Sequence, residues 1–451
     1  MKNLTYEKYI TPIYLFFWLI FVLLTYEDFL RDLNIYNFSY SLNNKYIFFS
    51  LCIIIFLFPI FFSKKMLKKI TYLKIATLII ISGSFLLTIY NKDPNIFLQA
   101  PDTGTYYNLY FYFFGCDENI LYECKDTYNL NHRLPSLPLL IGLLSFLFKF
   151  EWVPLFLNFF VLVLWYLFPY FVFRQKDIRK AHYGTILTTF FPLISVFGYL
   201  VLTDALFTIL FWIWFIKIMR RENFTSMELI PYVSISLFLI LLRPEGILFV
   251  ALGIFLTSLV IRQKIIIIFV CLIVQVLWGQ IQVTDIDRYL YVNIVPKTYQ
   301  YQQDIGYDQA RNIANNDYVS MPYSLNTIIQ DEYPVSLKDI VKSQKKWIPA
   351  NLKFSWNQQY ANLPNAFFYF QYLYFAPFLL FGFLGLLSMR GKEKRLGYRI
   401  VLISIVWILT TSILGPVDIT RFNLFINLPL IIGLSHIGTE FSKKFNRKNR
   451  S

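Results

Sequence analysis

The stretch Leu134-Pro-Ser-Leu-Pro-Leu-Leu-Ile-Gly-Leu-Leu-Ser-Phe-Leu-Phe148 decides how this chain is read. It is apolar but short, and prolines at 135 and 138 open it. A helix that crosses a bilayer needs ~20 apolar residues to cover ~30 Å of hydrocarbon. If this segment crossed, Arg174, Lys176, Arg179 and Lys180 would fall outside, against the tendency of Lys and Arg to stay on the cytoplasmic side. It is therefore read as a re-entrant or interfacial helix.

With that choice, the other basic clusters also fall on one side. They are Lys64, Lys65, Lys68 and Lys69; Lys217, Arg220 and Arg221; Arg262 and Lys264; Arg390, Lys392, Lys394 and Arg395; and the tail from Lys443 to Arg450. Hydrophobic residues make up 57% of the 451 positions and charged ones 15%, too little charge for a soluble protein of this size. The net charge of +15 does not point to nucleic acid, because the cations sit in short clusters between apolar runs. Those runs predict about twelve spans. They are Tyr9–Thr25, Tyr46–Phe62, Thr71–Tyr90, Trp152–Phe173, His182–Tyr199, Asp204–Ile218, Leu229–Leu242, Gly246–Ile261, Ile265–Gln280, Ala366–Met389, Ile400–Leu414 and Phe422–Ile437. The first run has no small-residue cleavage site after it and is read as a retained helix. A bias toward Ile, Asn, Lys, Phe and Tyr points to an AT-rich genome, and so to a bacterial cytoplasmic membrane.

Two external loops follow from this topology. The first, residues 91–133, contains Gln99-Ala-Pro-Asp-Thr-Gly-Thr-Tyr-Tyr-Asn-Leu-Tyr110, in which Asp102 precedes seven aromatic residues between Tyr106 and Phe114. So many aromatics belong on or in a membrane interface. The second, residues 282–365, is polar, with short helices expected near Asp308–Asn315 and Leu337–Trp347, and is read as a cap. Among the four cysteines, Cys52 and Cys271 lie in apolar runs as small hydrophobes, while Cys116 and Cys124 share the first loop and can pair if it faces an oxidising compartment.

The unusual polar residues gather on the outer side: Asp102; His132 and Arg133; Asp204; Arg243 and Glu245; Asp418 and Arg421. Ionisable groups bordering a bilayer are costly and are candidates for function. Each also has a plain reading. Asp102 and Asp204 fit as helix N-caps, Arg243 and Arg421 as snorkelling anchors, and His132 as a surface residue. His182 and His436 lie on the inner side, so the sequence builds no metal cluster. A carboxylate can take the proton of an acceptor hydroxyl, and guanidinium groups hold a phosphate leaving group. A base with an anion clamp suits glycosyl transfer from a lipid-phosphate sugar.

At these residues the chain resembles the GT-C superfamily of polytopic glycosyltransferases, which use polyprenyl-phosphate-linked sugars and include protein O-mannosyltransferases and lipid A aminoarabinose transferases. The resemblance is carried by Asp102-Thr-Gly-Thr-Tyr-Tyr, Arg133-Leu-Pro-Ser-Leu-Pro, Thr203-Asp-Ala-Leu-Phe and Arg243-Pro-Glu-Gly, across residues 95–260. It implies Asp102 as the catalytic base and Asp204 as a second acid near the donor. It also implies Arg133 and Arg243, with Arg421 added by its placement, as contacts of the lipid-linked phosphate. Tyr106, Tyr107, His132 and Glu245 are expected to line the substrate site.

The expected fold is an all-α polytopic membrane protein, a GT-C-like bundle of about twelve transmembrane helices with juxtamembrane helices in the first outer loop and a small external cap. Residues 1–281 would form the catalytic core, 282–365 the cap, and 366–451 the last helices and a basic cytoplasmic tail. The expected partners are a lipid-linked sugar donor, the membrane, and an acceptor that is a glycan, lipid or protein; nucleic acid is not among them. A divalent metal is left open, since Asp-Thr-Gly stands where many GT-C proteins carry two adjacent acids. A polymerase or ligase of lipid-linked glycans, or a transporter, is the alternative.

Overall fold

The computed structural model describes residues 9–22, 58–92, 106–114, 134–188, 203–281, 295–320, 335–352, 380–414 and 419–448, except 21, 107, 108, 112, 174–176, 222, 223, 225, 244 and 306. In chain order the helices are α1 (Tyr9–Ile20), α2 (Lys64–Lys92), α3 (Ser136–Ser145), α4 (Val153–Phe173), α5 (Ile178–Thr188), α6 (Thr203–Arg220), α7 (Ser226–Ile240), α8 (Gly246–Phe255) and α9 (Ile261–Ile281). Then come α10 (Val295–Gln303), α11 (Tyr307–Ser320), α12 (Leu337–Leu352), α13 (380–387), α14 (Lys392–Leu414) and α15 (Ile419–Lys448).

α6 is the centre of the bundle. Leu206, Phe207, Thr208, Ile209, Phe211, Trp212, Trp214, Phe215 and Ile216 are all buried, and the stripe through Leu210, Ile213, Lys217 and Arg220 is left partly open. α4, α7, α14 and α15 pack around it. Trp212 donates its indole N–H to the Phe425 carbonyl at 2.8 Å, and Trp214 donates to Tyr232 at 3.3 Å. These bonds satisfy the polar edges of rings that otherwise serve as apolar bulk. α13 lies against α15 through glycines: a Cβ on Gly433 would overlap the Gly382 carbonyl, and one on Gly385 would overlap Gly433. Only small residues allow two helix backbones to come this close.

At the edge, Lys74 of α2 is fully buried, donating to the Tyr14 hydroxyl at 2.8 Å with its ammonium 4.8 Å from the ring centres of Tyr14 and Trp18. Helices α10 and α11 with Val335 form a second small cluster, with Val295, Tyr299, Ala310 and Ala314 at its centre.

The expected bundle of about twelve transmembrane helices is corrected here. Among the described residues, two helices are long and apolar enough to cross a membrane: α4, more than half buried by its neighbours, and α9, mostly exposed. Apolar α1, α3, α7 and α8 have between 10 and 17 residues. The physical reason is that hydropathy reports residue type and not helix continuity. The run expected to cross from Gly246 to Ile261 is a helix of 10 residues that stops at Phe255, where Thr257 turns its hydroxyl onto the Ile254 carbonyl. At 1.5 Å per residue it rises roughly 15 Å, about half of a bilayer core. α6 has 18 residues but carries Asp204, Lys217 and Arg220. Most of the expected spans Tyr46–Phe62, His182–Tyr199 and Ala366–Met389 lies outside the described residues. The all-α class stands; the twelve-span count does not.

Candidate functional site

The turn Leu241-Leu-Arg-Pro-Glu-Gly246 holds the centre of the site. Pro244 lacks an N–H and restricts Arg243, so α7 cannot continue through it. α8 then starts folded back on α7: a Cβ on Gly246 would lie 2.5 Å from the Leu239 carbonyl oxygen, which a glycine avoids. The carbonyls left open at the end of α7 are taken by α3. Ser136 donates its backbone N–H to Leu241 at 3.0 Å and its hydroxyl to Phe238 at 2.9 Å. The segment that opened the sequence reading is thus a helix of 10 residues docked on the turn that carries Arg243.

Arg243 is 5% exposed and Asp204 4%. The Arg243 guanidinium donates through Nη1 to Asp204 Oδ1 and through Nε to Glu245 Oε2 at 3.3 Å, so one cation is shared by two carboxylates. Asp204 sits in the first turn of α6, where the helix dipole also favours a negative charge. Next to it, Thr203 Oγ1 lies 3.3 Å from the Tyr106 hydroxyl. The guanidinium also lies 6.0 Å from the ring centre of Trp407, which stacks at 4.0 Å on Phe425 and lies 4.8 Å from Phe249. Desolvated contacts of this kind hold an arginine more firmly than exposed ones.

Four expected site residues are therefore brought together: Tyr106, Asp204, Arg243 and Glu245. Asp102, Tyr107, His132 and Arg133 lie outside the described residues, and Arg421 is in the first turn of α15 with no side chain described. Cys116 and Cys124, which can pair if their loop faces an oxidising compartment, also lie outside them. Sequence reading missed Thr203 as a partner of Tyr106, and it missed Trp407, which stands in an apolar run with nothing to distinguish it. The aromatic stretch after Tyr106 packs on α3 and the short turn after it: Tyr110 stacks on Phe150 at 5.0 Å and donates to Ser145 Oγ at 3.3 Å.

The arrangement fixes what the groups can do. Arg243 already serves two acids, and its part in this arrangement is to hold the Asp204 and Glu245 side chains in place. Among the described residues there is no group of three or more His, Cys, Asp and Glu that would hold a metal ion. His436 instead lies with Nδ1 2.8 Å from the Lys180 ammonium. Compared with known proteins, the chain matches no family model, no curated protein and no solved structure.

Proposed function

We propose that the chain is a membrane glycosyltransferase that moves a sugar from a polyprenyl-phosphate-linked donor to an acceptor hydroxyl on the outer face of the membrane. What supports this reading is convergence. Residues near 106, 204 and 243, far apart in sequence, meet at one buried place, where the ion cluster of Asp204, Arg243 and Glu245 lies beside the hydroxyl pair of Tyr106 and Thr203. Groups of this cost are retained where they serve a site.

Asp102 acts as the base. It takes the proton from the acceptor hydroxyl, whose oxygen attacks the anomeric carbon as the bond to the polyprenyl phosphate breaks, with inversion. Phosphate departs without needing a proton. In this reading Arg243, engaged with Asp204 and Glu245, positions the site, and Arg133 and Arg421 take the phosphate contact that the resemblance implies. Helices α4 and α9 are the parts suited to the membrane.

The test is release of polyprenyl phosphate from a labelled lipid-linked sugar by the purified chain in detergent, across a panel of donors. Release that depends on an added acceptor supports transfer. Binding of the lipid-linked glycan without release would favour a transporter.

A further inference from the structure

We infer that cap helix α12 is a docking face for an anionic lipid surface. The juxtaposition behind this is an exposed apolar strip on α12 beside exposed lysines, on a helix that packs against α14, which bears a second exposed apolar strip of its own. The inference rests on the membrane part of the reading above and not on its chemistry.

The inner side of α12 is accounted for. Ile340 packs on the small cluster around Tyr299, and Ser343, fully buried, lies 3.3 Å from Thr298 Oγ1. The start of the helix is fixed by a reciprocal cap: the Ser336 hydroxyl donates to Asp339 Oδ2 at 2.8 Å, and the Asp339 N–H donates back to Ser336 Oγ at 3.2 Å. Among the described residues the outer side has no such account. Leu337 and Val341, four residues apart and so one above the other, are 49% and 57% exposed. Lys338, Lys342 and Lys345 are exposed along their flank.

α12 packs against α14. α14 exposes Tyr398, Leu402, Ile405 and Leu409, a stripe at helical spacing. A surface that is apolar along α14 and becomes apolar with lysines on α12 matches the passage from acyl chains to anionic headgroups. Leucine and valine enter the boundary while the ammonium groups meet phosphates. The charges select the occupant, because an uncharged bilayer or an apolar protein groove offers nothing to three lysines in a row.

The experiment uses the full chain in lipid nanodiscs of phosphatidylcholine alone or with phosphatidylglycerol added. Val341→Cys, with Cys52, Cys116, Cys124 and Cys271 replaced by Ser, carries a nitroxide. Its collisions with an aqueous nickel chelate are expected to fall about fivefold in the anionic discs, and to recover in high salt or with Lys338→Glu, Lys342→Glu and Lys345→Glu together. Equal access in both lipids would overturn the inference, as would a label shielded equally in both lipids and in detergent, which would mean a protein contact. In the unsubstituted chain, trypsin cleavage at Lys338, Lys342 and Lys345 should slow in the anionic discs, and unchanged cleavage would overturn it independently. Failure of the chain to enter either disc would remove the membrane reading itself, an outcome distinct from these.

Discussion

The two ends of α6 carry ions under opposite conditions. At the start, Asp204 and Arg243 are almost completely shielded, with side-chain exposures of 4% and 6%, and Glu245 completes the set at 14%. At the finish, Arg220 reaches Glu393 at 3.3 Å with exposures of 20% and 26% and also donates to the Val172 carbonyl. Beyond it Lys443 bridges Asp177 and Glu440 at 3.4 and 3.0 Å while 42% exposed. Both ends suit the helix dipole, with the acid first and the bases last. Burial is what separates them. A buried pair gains little over an apolar replacement of the same shape, whereas water and salt weaken an exposed pair. The finish of α6 therefore serves as a mooring. The start retains costly groups where apolar side chains would serve the fold at least as well.

This contrast can be broken by substitution. Arg243→Ala, which leaves two acids around a vacated cation site, should cost about 3–5 kcal/mol in denaturant unfolding. Replacing Arg243 together with its more deeply buried partner, Arg243→Leu with Asp204→Leu, leaves only the less buried Glu245 without its cation and should return much of that stability but no transferase activity. If the double variant is as unstable as the single one, the network is a structural lock and the contrast fails. At the other end, Arg220→Ala should cost about 1.5–3 kcal/mol, from charge-assisted hydrogen bonds that are only half shielded. Lys443→Ala should cost less than about 1 kcal/mol and less still in high salt, as exposed pairs do.

A pH dependence sharpens the mooring further. The Lys443 hydrogen bond holds the Glu440 carboxyl below its ordinary value of 4.5. A carboxyl lowered in the folded state contributes stability above its unfolded pKa and loses it as the pH falls through the folded value. Acid titration of stability should therefore show a small loss below pH 4.5 that is absent in Lys443→Ala. An identical acid limb in the two proteins would separate Glu440 from Lys443.

Some of this was legible in the sequence. Asp204, Arg243 and Glu245 stand out because charged residues interrupt apolar runs, and that signal brought out three members of the buried network. The prolines of Leu134–Phe148 marked a segment too short to cross, and the structure gives it a helix of 10 residues. What the residues could not reveal was pairing. Arg243 reads as a phosphate clamp until its guanidinium is found between two acids. Nor does composition tell a long helix from an apolar run broken at Phe255, which is why twelve spans were expected while, among the described residues, two helices are both long and apolar enough. Trp407 and α6 show the same limit from the other side: an apolar run that faces neighbours and one that faces outward, such as α9, have the same composition and opposite surroundings.

In the proposed reaction Asp102 is the general base while the buried ions of Asp204, Arg243 and Glu245 position the site, and Asp102→Asn separates the two in the donor-release assay, with unfolding measured on the same preparation. Unfolding like that of the parent is expected, with polyprenyl phosphate release lowered on the order of 10²-fold or more, as loss of a general base should lower it. Release near the parent rate would contradict this role and return Asp102 to a helix cap.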